Sequence, residues 1–432
     1  MTKIVILGLG ASGFAAALAI RKRDRRSEVI IIDEKDYDLM HPCGLPYALE
    51  GEIAIGALKH SIKADRMKIK VRGGSEVTRI DLKRKEVRMG PKLRESYDKL
   101  IIATGASQVV PRIPGAENCF VVDSPENTEK IAKATGRPRN AVVVGAGAIG
   151  VETAWALRKR GSRVTLLEML PSTFPKIIDP DMSAMVEGHL KENGINIELG
   201  TELREIQKGK VITDKGEIPA SLVIAATGVK ANMRLAQRAR IKCSEHGIIV
   251  NERMETSAKD VYAAGDCAEN VNIINRKPYV CQIAPAAFKQ GQVAGINASG
   301  GKATYPGATG TFISVIGGFQ IAATGFNEHY AKENDYEIIT SKASGFTLPD
   351  WMRGGKRVTV KLLADKKTKK VIGGQVIGSG AFTRINVIAT AIKAGFTLQE
   401  LADTELAYCP AVSQVTDTLT LAAELALRKL GK

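Results

Sequence analysis

The chain is short of aromatic residues, of paired cysteines and of long apolar runs. Phe, Trp and Tyr make up only 5% of its 432 residues. They do not interleave with the basic runs, so base stacking on a nucleic acid has no platform. The six cysteines are Cys43, Cys119, Cys243, Cys267, Cys281 and Cys409. They include no CxxC pair and no zinc-ligand spacing, which argues against a metal site. No apolar run reaches the ~20 residues of a membrane span, and Met1-Thr2-Lys3 leads into an apolar strand, not a signal peptide. A cytoplasmic location is therefore expected, where most thiols stay reduced. Acidic residues are outnumbered, giving a net charge of +16. The basic runs at 21–26, 83–85 and 366–370 read as solvated loops and helix ends. A positive field of this size steers anions toward a site.

Two glycine-rich loops stand out against this background. Ile4-Val5-Ile6-Leu7 is an apolar run of the kind buried on both faces of a parallel sheet. Gly8-Leu9-Gly10-Ala11-Ser12-Gly13 follows at G-x-G-x-x-G spacing, then an Ala-rich helix over 14–21, then a strand over 29–32 ending at Asp33 and Glu34. In such a unit Gly8 makes the turn, Gly10 admits a pyrophosphate, and Gly13 lets the helix pack on the strand. The N–H groups at the helix start, at Ala11 and Ser12, face the phosphates, and Asp33 accepts from a ribose hydroxyl. The unit recurs. The strand 141–144 enters Gly145-Ala146-Gly147-Ala148-Ile149-Gly150, a helix runs to about 160, and the strand 164–167 ends at Glu168. A carboxylate there binds a free 2′-hydroxyl and repels a 2′-phosphate, favouring NADH over NADPH; Arg158 and Arg163, near in sequence, weigh the other way.

A third signal lies at 256–266, ending Ala263-Ala264-Gly265-Asp266. It resembles the second flavin fingerprint of the pyridine nucleotide–disulfide oxidoreductases, in which the acid, here Asp266, binds the ribityl chain of FAD. Ala103-Thr104-Gly105 and Ala226-Thr227-Gly228 resemble that family's crossings between nucleotide domains. His41-Pro42-Cys43-Gly44-Leu45-Pro46-Tyr47 resembles the redox-cysteine run of its single-cysteine branch, the coenzyme A disulfide reductases, NADH oxidases, NADH peroxidases and polysulfide reductases. Ala407-Tyr408-Cys409-Pro410 resembles the tail motif that brings a tyrosine to the partner's active site.

The resemblance implies an α/β fold. Two Rossmann-like dinucleotide-binding domains, for FAD and NAD, would precede a C-terminal α+β dimerisation domain. The expected boundaries are 1–110 and 247–325 for the FAD domain, 111–246 for the NAD domain and 326–432 for the tail. Within the tail, the apolar runs 358–363 and 371–378 bracket a polar turn and predict a hairpin. Helices are expected at 287–300, 384–394 and 416–430, those of the tail on one face of its sheet.

The implied activity is electron transfer from NADH, by way of FAD and Cys43, to a small disulfide, persulfide or polysulfide. The alternative is an NADH oxidase or an NADH:quinone or electron-carrier reductase. The implied assembly is a homodimer, or a tetramer built from it. Pro42 fixes the backbone before Cys43, and Gly44 leaves room for a ring or substrate. Three departures from the family matter. Ala48 stands where dithiol reductases place a second cysteine. Ala11 stands where peroxidases and many oxidases carry a histidine. Ser344 to Arg353 replaces the tyrosine-rich stretch of the coenzyme A reductases. Several residues keep two readings. Tyr408 is a proton donor across the dimer or an interface aromatic. His41 is an acid or cation acting on Cys43, or a plain loop histidine. Cys409 is a resolving thiol or a packing residue. Glu152 lies near the nicotinamide or is a first-turn acid favoured by the helix dipole.

Overall fold

Strand Lys3–Leu7 is apolar at every central position because both faces of its sheet are covered. In this computed structural model it occupies the middle of a five-stranded parallel sheet, in the order Val261–Ala263, Lys99–Ile102, Lys3–Leu7, Glu28–Ile32, Ile69–Arg72. Ile4, Ile6, Val29 and Ile31 pack with Ile20, Ala294 and Ala298 of two helices; Val5, Leu7, Ile30 and Ile32 pack with Ile80, Val87 and Met89 of a three-stranded antiparallel sheet. The period-two alternation thus fills two cores instead of one. The two helices, Ala11–Arg23 and Ala284–Ala298, lie very close together. A Cβ at Gly291 or Gly295 would overlap the backbone of Ser12 or Ala16.

The structure describes residues 1–135 and 139–431. They form two units: Met1–Leu45, Ile53–Gln108 and Val229–Ala308 make the first; Pro46–Glu52, Val109–Gly228 and Thr309–Lys432 make the second. The second unit holds a four-stranded parallel sheet in the order Ile195–Glu198, Arg163–Leu167, Asn140–Val144, Leu222–Ala225. It also holds the tail's five-stranded antiparallel sheet, two strands of which lie before the expected boundary at 326, in the order Phe312–Ile316, Phe319–Gly325, Val371–Gly378, Arg357–Asp365, Ile338–Phe346. The expected hairpin forms from the third and fourth of these strands. The tail helices are Ala381–Ala394 and Thr418–Leu430. The latter starts after 416 because Asp417 caps it, accepting from Leu419 N at 2.8 Å.

The tail sheet differs from the expected one-sided arrangement. Gly374 lies against Ile388 of helix Ala381–Ala394, and Ser341 donates to Ala422 O of helix Thr418–Leu430. The next row across the strands, Lys342, Lys361 and Gln375, points the other way and bonds Asp179 and Asp181 at the start of helix Pro180–Glu192. Both faces are therefore covered. Among the described residues, no helix is long and apolar enough to cross a membrane.

In the first unit, Asp260 ties strand to sheet: Lys85 and Lys99 reach its carboxylate at 2.7 and 2.6 Å. Their hydrogen bonds hold its pKa at about 2. The depressed carboxyl stabilises the fold above its unfolded pKa and loses that effect as pH falls toward the folded value. Asp260 has φ +67, a conformation asparagine also tolerates, so Asp260→Asn removes the charge, and one acceptor with it, without backbone strain. The variant is expected to lose about 1 kcal/mol at neutral pH, narrowing as pH drops from about 4 toward 2, measured by denaturant melts across pH.

Candidate active site

Both glycine loops are built on the same close approach. Gly8 and Gly145 each have φ +103, and a Cβ on either would overlap a carbonyl oxygen of the neighbouring strand end, that of Ala103 or Ala226. Gly13 and Gly150 lie against the carbonyls of Gly8 and Gly145. These last glycines thus close the loop on itself, more than they pack helix on strand. Gly10 and Gly147 are the helix N-caps, and a Cβ on either meets nothing within 4 Å. Neither helix has a side-chain cap or an acid in its first turn. Each therefore presents unsatisfied N–H groups and a positive dipole end to open space, the environment a pyrophosphate needs.

The two strand-end acids fold back onto these loops. Asp33 accepts from Leu9 N, and from Lys35 N and Nζ at 2.8 Å each. Glu168 accepts from Ala146 N at 2.7 Å and Leu170 N at 3.0 Å. Each carboxylate has lone pairs left for a ribose hydroxyl. Glu34 is exposed. Arg158 and Arg163 are engaged elsewhere, donating to Asn193 O at 3.1 Å and Asn140 Oδ1 at 2.9 Å.

Asp266 carries the clearest unmet polar demand in the first unit. Its Oδ1 is buried with no hydrogen bond among the described residues, and burial raises its pKa to about 6. Gly265, at φ +83, sits against Ser12, and its N–H donates to Gln290 Oε1 at 2.8 Å. Gln290 Nε2 is likewise buried without a partner. An orphaned carboxylate and an orphaned amide beside an open helix end fit the ribityl and pyrophosphate groups of FAD. The second loop, with Glu168, fits a nicotinamide nucleotide. The Ala-Thr-Gly crossings are fixed locally. Thr104 exchanges two 2.9 Å bonds with Asn232, Thr227 donates to Val109 O at 2.6 Å, and Gly105 and Gly228 border open space.

Cys43 lies on an exposed turn of 3₁₀ helix, Pro42–Gly44, that leads directly into helix Leu45–Glu50. It is not in a disulfide, and Ala48 is buried. The room at Gly44 is not for a ring or substrate: a Cβ there would overlap Leu58. His41 is exposed, edge-on to His60 at 4.8 Å. Burial pushes the Cys119 thiol up to about 11 and also raises those of Cys243 and Cys267, which disfavours their thiolates. Tyr408 and Cys409 lie on an exposed segment of the second unit, after helix Leu398–Ala402.

Glu152 is not a first-turn acid, because helix Ala148–Lys159 begins four residues earlier and carries none there. Its carboxylate accepts from Ser314 Oγ at 2.7 Å and is raised by burial. It lines a small cavity with Pro46, Tyr47, Glu50, Trp155 and Val315. Glu50, also raised by burial, accepts from Trp155 Nε1 at 3.1 Å. Sequence reasoning missed Gln290, Asn232, Glu50 and Trp155; each acts through a residue more than 20 positions away, and none sits in a motif.

An uncompensated carboxyl with a raised pKa destabilises the fold as pH rises from the unfolded value through the folded one. In flavin-free protein, Asp266→Asn is therefore expected to raise stability by on the order of 1–2 kcal/mol at about pH 7 and by nothing below about pH 4. The same variant is expected to retain less FAD. Thermal melts of the apoprotein across pH, and flavin absorbance after gel filtration, check the two halves.

Two family models match the chain: pyridine nucleotide-disulphide oxidoreductase over residues 2–291, and the dimerisation domain of that family over 312–420. A protein of Methanocaldococcus jannaschii named NADH oxidase is 33% identical over 446 residues, covering 99% of each chain. A CoA-dependent NAD(P)H sulfur oxidoreductase of Pyrococcus furiosus is 34% identical over 438 residues, covering 98% of each. A NAD-dependent persulfide reductase from A. fulgidus has a similar structure, with a TM-score of 0.95 at 34% identity over 99% of this chain and 83% of that one. With both fingerprints, the orphaned Asp266 and the tail accounted for by one family over nearly its whole length, the chain belongs to the pyridine nucleotide-disulphide oxidoreductases, redox enzymes that use FAD and NAD(P)H.

Proposed function

We propose that the protein is an NADH-dependent reductase of small disulfides, persulfides or polysulfides, acting through FAD and the single thiol of Cys43. The observation that carries this reading is the placement of Cys43. It is exposed on a Pro-initiated turn, outside any disulfide, with a buried alanine where a dithiol enzyme needs its second sulfur. One thiol alone processes a disulfide only through a mixed disulfide with its substrate. The Cys43 thiolate attacks one sulfur of R–S–S–R, and the first RS⁻ leaves. Two electrons from NADH then cleave the mixed disulfide, restore the thiolate and release the second RS⁻. The sum is R–S–S–R + NADH + H⁺ giving two RSH and NAD⁺. FAD, when bound, would supply a two-electron relay between the nicotinamide and sulfur.

The chain's residues hold and orient these partners. The Gly10 loop, Asp33, Thr104, Gly105 and Asp266 would hold the flavin, and the Gly147 loop, Ile149, Glu168 and Gly228 the nicotinamide nucleotide. Glu168, with both nearby arginines engaged elsewhere, supports NADH over NADPH. Tyr408 would serve as proton donor to the leaving thiolate across a homodimer, consistent with the dimerisation-domain match. A cytoplasmic setting suits a thiol enzyme of this kind. The second reading, NADH oxidation by oxygen, is supported by the name of the M. jannaschii relative; Ala11 weighs against it.

Cys43→Ser separates the two. Disulfide and polysulfide turnover is expected to fall by at least about 10³-fold, while NADH oxidation with a dye acceptor and flavin content stay near wild type. Steady-state assays with coenzyme A disulfide, polysulfide and oxygen read this out. Sulfur reduction that persists in the variant rules the proposal out.

A further inference from the structure

Behind Glu168 runs a loop that the nucleotide fold alone does not secure. Leu170 N returns to Glu168 Oε1, and Phe174 N bonds Ala146 O at 2.8 Å, so the loop lies against the second glycine loop. Phe174 is fully buried at φ +48, a conformation an aromatic residue keeps only when its surroundings enforce it. The loop ends at Asp179, the N-cap of helix Pro180–Glu192. An aspartate there normally caps the helix with its side chain. Asp179 does not. Its carboxylate accepts from Gln375 Nε2 at 2.6 Å, Lys361 Nζ at 3.0 Å and Glu328 N at 2.9 Å, and its own N–H donates to Gln375 Oε1 at 2.9 Å.

A cap forgone in favour of a costly buried ion cluster marks a second demand on the residue. Lys361, 4% exposed, also meets Asp181 and Glu328 at 2.7 Å each. Lys342, Lys361 and Gln375 are direct cross-strand neighbours in the tail's sheet. The loop is therefore held at its front by the nucleotide fold and at its rear by the tail.

We propose that Gln375 and Lys361 are positioning residues for the nicotinamide nucleotide: through Asp179 they fix the loop 169–179 against the Gly147 turn and Glu168, and so set NADH affinity. The proposal rests on the reading that this turn holds the nucleotide. It makes the tail a determinant of cofactor binding as well as of assembly.

The test uses Gln375→Leu, which keeps volume and removes both bonds to Asp179. Asp179→Asn, which keeps the side chain's size and drops the charge facing Lys361, covers a failure of the first variant to fold. Affinity for NADH is measured by calorimetry on the flavin-loaded enzyme with its flavin already reduced, so that no hydride transfer adds to the binding heat, alongside KM and kcat. About a tenfold rise in Kd and KM for NADH, with kcat within about twofold and flavin content unchanged, is expected. Lys361→Arg is expected to stay near wild type. A variant that melts at lower temperature but binds NADH as tightly as wild type overturns the inference, since a merely structural role moves only the melt. Gly147→Val tests the underlying reading. NADH binding that survives it overturns both; NADH binding lost there but intact in Gln375→Leu overturns the inference alone.

Discussion

The carbonyl oxygens of Ala103 and Ala226 impose the constraint from which both nucleotide halves follow. Each occupies the place a side chain would take at the first glycine of its loop. Only glycine meets that contact, and only a positive φ turns the chain sharply enough to start a helix at once. The next glycine is then left at the helix mouth with open space before it. The same geometry arises twice, from different strands, because the same pair of carbonyl and glycine recurs in each parallel sheet.

What fills that space is decided by charge. Neither helix brings an acid or a capping hydroxyl to its first turn, so the amides there stay unsatisfied in the protein alone. The strand-end carboxylates do not cap them; each ties its glycine loop through one loop amide, Leu9 N or Ala146 N, accepts a second amide from its own strand end, and keeps lone pairs in reserve. Asp266 completes the pattern in the first unit. Its burial without a partner among the described residues is a cost that a hydroxyl-rich ligand would remove.

These features were legible in the sequence because they are local. Strand, glycine turn, helix and terminal acid follow one another within about thirty residues, and the hairpin at 357–378 announces itself by its polar turn. What stayed hidden depends on distant neighbours. Gly44 was assigned to a ligand, yet Leu58, from a separate segment, takes its room. Glu152 reads as a first-turn acid, but the helix starts at Ala148 and the carboxylate meets Ser314 of the five-stranded antiparallel sheet. The second covered face of the tail sheet could not be read, because Lys342, Lys361 and Gln375 come together only through the register of three strands. Strand Ile338–Phe346 itself carried too mixed a pattern to be expected.

The two tryptophans differ sharply in surroundings. Trp155 is 7% exposed, stacked on His189 at 5.7 Å and hydrogen-bonded to Glu50, whereas Trp351 is 66% exposed. The protein thus carries two built-in optical reporters, one shielded and one bathed in water. Such a pair would give a shorter-wavelength emission component from the nucleotide-side helix and a longer-wavelength, quencher-accessible one from the tail's surface.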